Sequence, residues 1–339
     1  MSPQWVDEST LTEVEGLLRR QGMITDSENI VSLDKAGEGN MNVTLRARVG
    51  GTGTSRSLIV KQSRPFVAKY EQIEAPLERI EYENAFYEFI EQHGVLARRM
   101  PKKLAWNSDQ RLLVLEDLGS AADASSWYWE APTNLATEVK ALLAWITKLH
   151  AISAECDDKS AFQLKFANTK LRALNHAHIF DIPFQSVPAI PLDEVCPGLD
   201  EATKGTRENS SLRNRVSELG KLYLSDGEVL LHGDFYPGSW LIGDSISYVI
   251  DPEFCFAGSA EFDLGVLLAH LGLIDREQSE LVFRPLIEGL DGQPDMRLVD
   301  EFAATEILRR LLGVAQLPLR ATLEERLSLI EASEAILIR

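Results

Sequence analysis

The sequence predicts an α+β protein in two lobes, a small N-terminal β-sheet lobe over residues 1–118 and a larger, mainly helical C-terminal lobe over 119–339. Three observations carry this expectation. From Val31 to Gln62 the chain reads as strands, NVTLRARV and SLIVKQ, separated by the glycine-rich turn GGTGTS. Beyond Gly119 the apolar spacing becomes helical, beginning with EVKALLAWITKLHAI (138–152). The helices are then interrupted by LLHGDFYPGSWL (230–241) and YVIDPEF (248–254), a pair of short apolar strands joined by polar loops.

Taken in order, residues 8–21 (ESTLTEVEGLLRRQ) set Leu11, Val14, Leu17 and Leu18 at helical spacing, which predicts an amphipathic helix packed beside a sheet. The glycine-rich AGEGNMN precedes the strands. A second helix carries Ile80, Phe86, Tyr87 and Ile90 on one face, and RLLVLEDLG (111–119) reads as a buried strand leaving into a linker. In the C-terminal lobe Leu142, Ile146 and Leu149 form the first stripe. The proline-rich run 182–197 has no period and is expected to be a long loop or insertion. Two closing helices are expected over 298–317 and 322–337, the second with Leu323, Leu327, Ile330 and Leu337 as a stripe that Glu334 interrupts.

A formal charge of -18 excludes nucleic acid and anionic membrane as main partners, because both demand clustered Lys and Arg. Cys156, Cys196 and Cys255 are odd in number and widely spaced, which suits a reducing cytosol. The segment MSPQWVDESTLTEV lacks a basic stretch followed by an apolar core, and the longest apolar run, LGVLLAHLGLI (264–274), is too short to span a bilayer. A cytoplasmic monomer or homodimer is therefore expected.

The chemistry concentrates at the interruption. A carboxylate on a loop after an apolar strand, here Asp234, can orient a substrate hydroxyl; an acidic pair at the end of the next strand, Asp251 and Glu253, can hold magnesium on a nucleotide. Phosphoryl transfer also needs the phosphates cradled. Gly37, Gly39 and Asn40 in GEGNMN (37–42) can turn tightly and offer backbone N–H groups, although such a loop alone is more often a plain turn. Lys61 ends SLIVK, where an ammonium could reach phosphates from inside the lobe, although a lone strand-end Lys is more often solvated. Glu83, 22 residues further on, shares a helical face with Ile80, Phe86 and Ile90, points inward, and takes Lys61 as its cation; Glu81 competes from a more polar face. Glu116, Asp117 and Leu118 follow the strand LLVL, where backbone groups would meet an adenine edge. His232 reads as structural, packing and hydrogen-bonding to fix the loop, and Asp263 either opens a helix at the surface or anchors that loop through backbone N–H groups.

These residues resemble those of aminoglycoside phosphotransferases and choline kinases and, within that group, 5-methylthioribose kinases. LIVKQSRPFVAKY, HGDFYPGS, VIDPEFCFAG and EILRRLLGVAQL (306–317) carry the resemblance, with Ser239 at the position where many relatives have Asn. The loop reads FYP where methylthioribose kinases typically have Leu-His-Thr, and EQIEAPLER replaces their Trp-containing loop. The resemblance implies a protein-kinase-like bilobal fold, ATP and Mg2+ as cofactors, and a small-molecule hydroxyl as acceptor. Asp234 would be the base, Asp251, Glu253 and Ser239 would lie on magnesium, Lys61 would lie on the phosphates, and Arg309 and Arg310 would contact the acceptor or the transferring phosphoryl group. Arg310 shares a stripe with Ile307, Val314 and Leu317 and so needs a partner, whereas Arg309 shares its stripe with Glu306 and Gly313 and has an exposed alternative. The acceptor would be methylthioribose or another sugar-like compound. Aminoglycosides and choline are cations, which two inward arginines oppose. A nucleotide-binding pseudokinase is the non-enzymatic alternative, and the presence of Asp234, Asp251, Glu253 and Lys61 argues against it.

Overall fold

A computed structural model describes residues 3–37, 41–51, 54–68 and 70–339. They gather into two compact units, Met1–Ala122 with Ile242–Phe254, and Asp123–Leu241 with Cys255–Arg339. The short segment carrying Asp251 and Glu253 thus belongs with the N-terminal residues.

The first unit is built on a five-stranded sheet. Strands β1 (Glu28–Lys35), β2 (Val43–Gly51) and β3 (Thr54–Gln62) run antiparallel, followed in the sheet by Leu112–Glu116 and, at the edge, Lys103–Asn107. Alternation decides the faces. Leu45, Ala47 and Val49 of β2 and Leu58 and Val60 of β3 join Val14, Leu17 and Leu18 of helix α1 (Leu11–Arg20) in one apolar cluster. Lys61, one residue out of phase with Val60, therefore points to the other face. Gln62 is buried because it serves three backbone groups: its Oε1 accepts from Val6 N at 2.9 Å, and its Nε2 donates to the carbonyls of Gln4 and Gln110. The helix α2 (Arg79–Glu91) buries Ile80, Phe86, Tyr87 and Ile90 as its sequence face predicts. Residues 247–249 are tied in by Val249, whose N donates to Arg99 O at 2.7 Å, and by Arg99 Nη1 donating to Ser247 O at 2.9 Å.

The second unit is helical. Helix Leu135–Ala154 buries Leu142, Ile146 and Leu149. Helix Ala260–Ile274 is buried without a break from Phe262 to Leu271, as expected of a helix apolar all round, and it packs against Met296–Leu312. Gly265 permits the close approach, since a Cβ there would lie 2.6 Å from Phe302 Cβ. One sequence expectation changes. The helix expected over 298–317 stops at Leu312, because Gly313 turns extended and the chain then runs irregularly through Pro318. The proline-rich run 182–197 is the long loop expected, broken only by short helical turns at Ile182–Phe184 and Leu192–Val195, and anchored by Phe184 and Leu192 in the core. Leu323–Leu337 closes the unit behind a Thr322–Glu325 capping box. Among the described residues, no helix is long and apolar enough to cross a membrane.

Strand Val229–Leu231 pairs antiparallel with Phe256–Gly258 and delivers the chain into the Asp234 loop. At its entry a Cβ on Gly227 would collide with the Gly258 backbone carbonyl. Gly227→Ala is therefore expected to force this strand pair apart and to cost roughly 1–3 kcal/mol of stability, as overpacking does. Urea unfolding measures it, and an unchanged midpoint would show that the pair yields freely.

Candidate active site

In the first unit, Lys61 crosses from β3 to α2 and to the 251–253 turn. Its Nζ lies 2.6 Å from Glu83 Oε1 and 2.6 Å from Asp251 Oδ1. Burial by itself would strip the ammonium of its proton, but Asp251 and Glu83 outweigh it and hold the Lys61 pKa well above its ordinary value. Burial raises the Glu83 carboxyl while Lys61 opposes it. A buried pair of this kind is fragile to the loss of either partner. Glu81 instead pairs with Arg111 at 2.6 Å on the surface.

Asp251 adopts a left-handed backbone conformation (φ 59), unusual for a residue with a side chain, and its carboxylate remains 39% exposed. Glu253 is buried. Asn42 Nδ2 donates to its Oε2 at 2.9 Å, and Arg79 Nε stands 3.6 Å from the same oxygen. Burial pushes the Glu253 pKa up to about 8, with Lys61 and Arg79 pulling against it. Arg79, fully buried at the start of α2, also donates to the carbonyls of Arg64, Pro76 and Met41, each at 2.8 Å. One guanidinium thus holds both the residue preceding Asn42 and the second acidic residue.

These residues fit magnesium. Mg2+ takes oxygen ligands, keeps several waters, and is commonly held by one or two carboxylates together with nucleotide phosphates. Asp251 and Glu253 supply the carboxylates, and the buried Asn42 Oδ1 has no hydrogen-bond partner. Among the described residues, no group of three or more His, Cys, Asp or Glu is placed to hold a metal ion. Gly37 has φ 78, the left-handed turn its motif predicts, while Gly39 and Asn40 lie outside the described residues. Glu116 pairs with Lys102 through its backbone N at 2.9 Å and through its carboxylate at 3.2 Å, and the Leu118 carbonyl accepts weakly from Ala121 N. Asp117 is fixed by Arg46 Nε at 2.8 Å, Ser57 Oγ and Gly119 N. These hydrogen bonds outweigh its burial and hold its carboxyl below the usual range.

In the second unit the Asp234 loop is anchored from beneath. Asp263, at the start of helix Ala260–Ile274 and fully buried, accepts from His232 N at 2.8 Å, Gly233 N at 3.0 Å and His150 Nε2 at 3.0 Å. The His232 ring is buried edge-on to Phe235, itself stacked on Trp145 and set against Trp240. Ser239 Oγ donates to the Asp234 carbonyl at 2.9 Å and closes the turn, leaving its oxygen lone pairs uncommitted to that bond.

Asp234 faces a charged wall. Its Oδ1 lies 3.4 Å from Arg310 Nη2 and 3.9 Å from Arg309 Nη1. Burial raises its pKa, and Arg310 and then Arg309 oppose the rise. Both arginines are buried, so the exposed alternative for Arg309 does not occur. The reason is Glu306, one turn back, which accepts from Arg309 Nη1 at 3.0 Å and from Arg310 Nε at 2.6 Å. Although burial favours its neutral form, the two guanidiniums hold Glu306 well below the usual carboxylate range. Arg310 also lies over the Tyr236 ring, 4.8 Å from its centre. Sequence reasoning missed Glu306, Arg79, Asn42 and His150 as participants. For Glu306 the signal was present, because its three- and four-residue spacing to the arginines places all three charges together on a helix.

Residues 44–302 match the phosphotransferase enzyme family. A methylthioribose kinase of Yersinia enterocolitica is 29% identical over 258 residues, covering 75% of this chain and 63% of the relative, so the chain spans less than two thirds of that protein's length. A methylthioribose kinase of Exiguobacterium sibiricum is 27% identical over 324 residues, covering 84% of this chain and 80% of the relative. Two solved structures share the fold: a Plasmodium vivax ethanolamine kinase (TM-score 0.56, 12% identity, 98% of this chain and 90% of that one) and the choline kinase LicA of Streptococcus pneumoniae (TM-score 0.52, 15% identity, 96% and 99%). The matched span runs from β2 into helix Met296–Leu312 and takes in Lys61, Asp234 and Asp251, and on that extent the chain belongs to the phosphotransferase enzyme family.

Proposed function

We propose that this protein transfers the γ-phosphoryl group of ATP to a hydroxyl of a small, neutral, sugar-like molecule, with 5-methylthioribose the first acceptor to test. The observation that carries the reading is the Asp234 carboxylate, held on a loop locked by Asp263 and faced by Arg309 and Arg310. Asp234 would orient the acceptor hydroxyl and take its proton, while the arginines would steady negative charge on the phosphoryl group in flight. Lys61, kept cationic by Glu83 and Asp251, would lie on the phosphates. Gly37, Gly39 and Asn40 would border the phosphates, and Glu116 and Leu118 the adenine. Asp251 and Glu253 would hold magnesium, which when bound neutralises phosphate charge. A neutral acceptor is supported by the balance of the wall, where the Asp234 and Glu306 carboxylates offset the two guanidiniums instead of leaving excess negative charge for a choline-like or aminoglycoside cation.

Release of ADP from MgATP, measured with 5-methylthioribose, choline and an aminoglycoside in parallel, tests the reading. Release with the sugar alone supports it, release with a cation redirects the acceptor, and silence with all three overturns it. For the metal, Asp251→Ala removes a charged ligand worth about 1.5–3 kcal/mol, so MgATP affinity is expected to fall roughly 10- to 100-fold. Calorimetry showing unchanged affinity would place the metal elsewhere.

A further inference from the structure

The wall facing Asp234 rests on a further buried group that touches neither acceptor nor nucleotide in the proposed reaction. His270 lies fully buried within the apolar run of helix Ala260–Ile274, where a polar ring is costly unless both nitrogens are engaged. Both are. Nε2 is 3.1 Å from Glu306 Oε1, and Nδ1 is 2.6 Å from the hydroxyl of Tyr128. Burial lowers the imidazole pKa to about 4, so at neutral pH the ring carries one proton. Ionised Glu306 can only accept, which places that proton on Nε2. The Tyr128 phenol, pushed well above its ordinary pKa by burial, keeps its own proton and donates it to Nδ1. The chain has one consistent direction, from Tyr128 through His270 to Glu306.

The far end of the chain sets geometry at the reacting side. Arg310 gives Nε to Glu306 at 2.6 Å, turns Nη2 to Asp234 at 3.4 Å, and has Nη1 3.5 Å from the Ala315 carbonyl. A rotated Glu306 carboxylate would carry Nε with it and swing Nη2 off Asp234. We propose that His270, oriented by Tyr128, is a positioning residue for phosphoryl transfer: it fixes the Glu306 carboxylate and thereby the edges that Arg309 and Arg310 present beside Asp234. This rests on the reading of Asp234 as the residue that orients the acceptor hydroxyl. A purely structural tie between the two helices would not need it, since both are lined with apolar residues at their contact and a buried polar link is commonly replaced by an apolar one without loss of stability.

The experiment measures ADP release from MgATP with 5-methylthioribose and, separately, with water as acceptor, in wild type, Asp234→Asn, His270→Leu, His270→Gln and Tyr128→Phe. His270→Leu is expected to lower kcat about 10- to 100-fold, the scale of a small misplacement of a catalytic group, with KM for ATP within about twofold. Tyr128→Phe, which removes one oxygen, is expected to lower kcat about threefold or more with the same unchanged KM. His270→Gln, whose amide nitrogen can still donate to Glu306, is expected to recover most of the loss. Wild-type kcat in His270→Leu or in Tyr128→Phe overturns the proposal, as does a loss that glutamine does not recover. If His270→Leu fails to fold, Tyr128→Phe and His270→Gln decide the matter on the same terms. The underlying reading fails differently: wild type silent with both acceptors, or Asp234→Asn as active as wild type, removes that reading and this proposal with it.

Discussion

Asp234→Asn is expected to lower turnover roughly 10²–10⁴-fold, the range for loss of a general base, while leaving MgATP affinity within about twofold. The substitution keeps shape and removes function. Asparagine occupies the same volume on a loop fixed by Asp263 through His232 N and Gly233 N, so the backbone geometry should survive. The lost group is the carboxylate, and an amide can neither accept the acceptor's proton nor balance the two guanidiniums beside it. Removing that charge leaves Glu306 alone against Arg309 and Arg310, so some loss of stability is also expected and should be followed by thermal unfolding. ADP release and calorimetric MgATP titration separate the two effects. Turnover near the wild-type rate in a folded variant would remove Asp234 from the mechanism.

Those residues became legible in the sequence where chemistry and local period coincide. Lys61 stands one step out of phase with Val60, and Glu83 sits on the apolar face of its helix, so their pairing followed from two local patterns. The Asp234 loop stood out because an apolar strand ends in HGD, and the choice for Asp263 between surface and anchor is resolved by its three hydrogen bonds. What remained hidden depends on contacts between residues distant in sequence. Arg79 reads as an ordinary basic residue at a helix start, yet it gathers carbonyls from Met41 and Arg64. His270 reads as an intruder in an apolar run until Tyr128 and Glu306 arrive at its two nitrogens. The end of the arginine helix was misjudged because apolar residues continue to Leu317 in the sequence, while the backbone had already left helical geometry at Gly313.

Arg310→Met is expected to reduce turnover by roughly 30- to 1000-fold, because a charge-assisted contact made in the transition state is worth about 2–4 kcal/mol. Methionine keeps most of the apolar stem and deletes the guanidinium that lies over Tyr236 and 3.4 Å from Asp234. Folding should be retained, since Glu306 keeps Arg309 and His270 as partners. MgATP affinity should change by less than about threefold, the nucleotide-side residues Lys61, Asp251 and Glu253 being left in place. The pH profile provides a second readout. Burial already raises the Asp234 pKa, and Arg310 is the strongest influence opposing that rise. Deleting it lets the pKa climb further, so the acidic limb of the turnover profile, where the base becomes protonated, should move to higher pH. A folded variant with wild-type turnover and an unmoved acidic limb would mean that Arg310 neither touches the reacting group nor holds Asp234 ionised. The case for a neutral rather than cationic acceptor would then lose the positive half of the charge balance on which it depends.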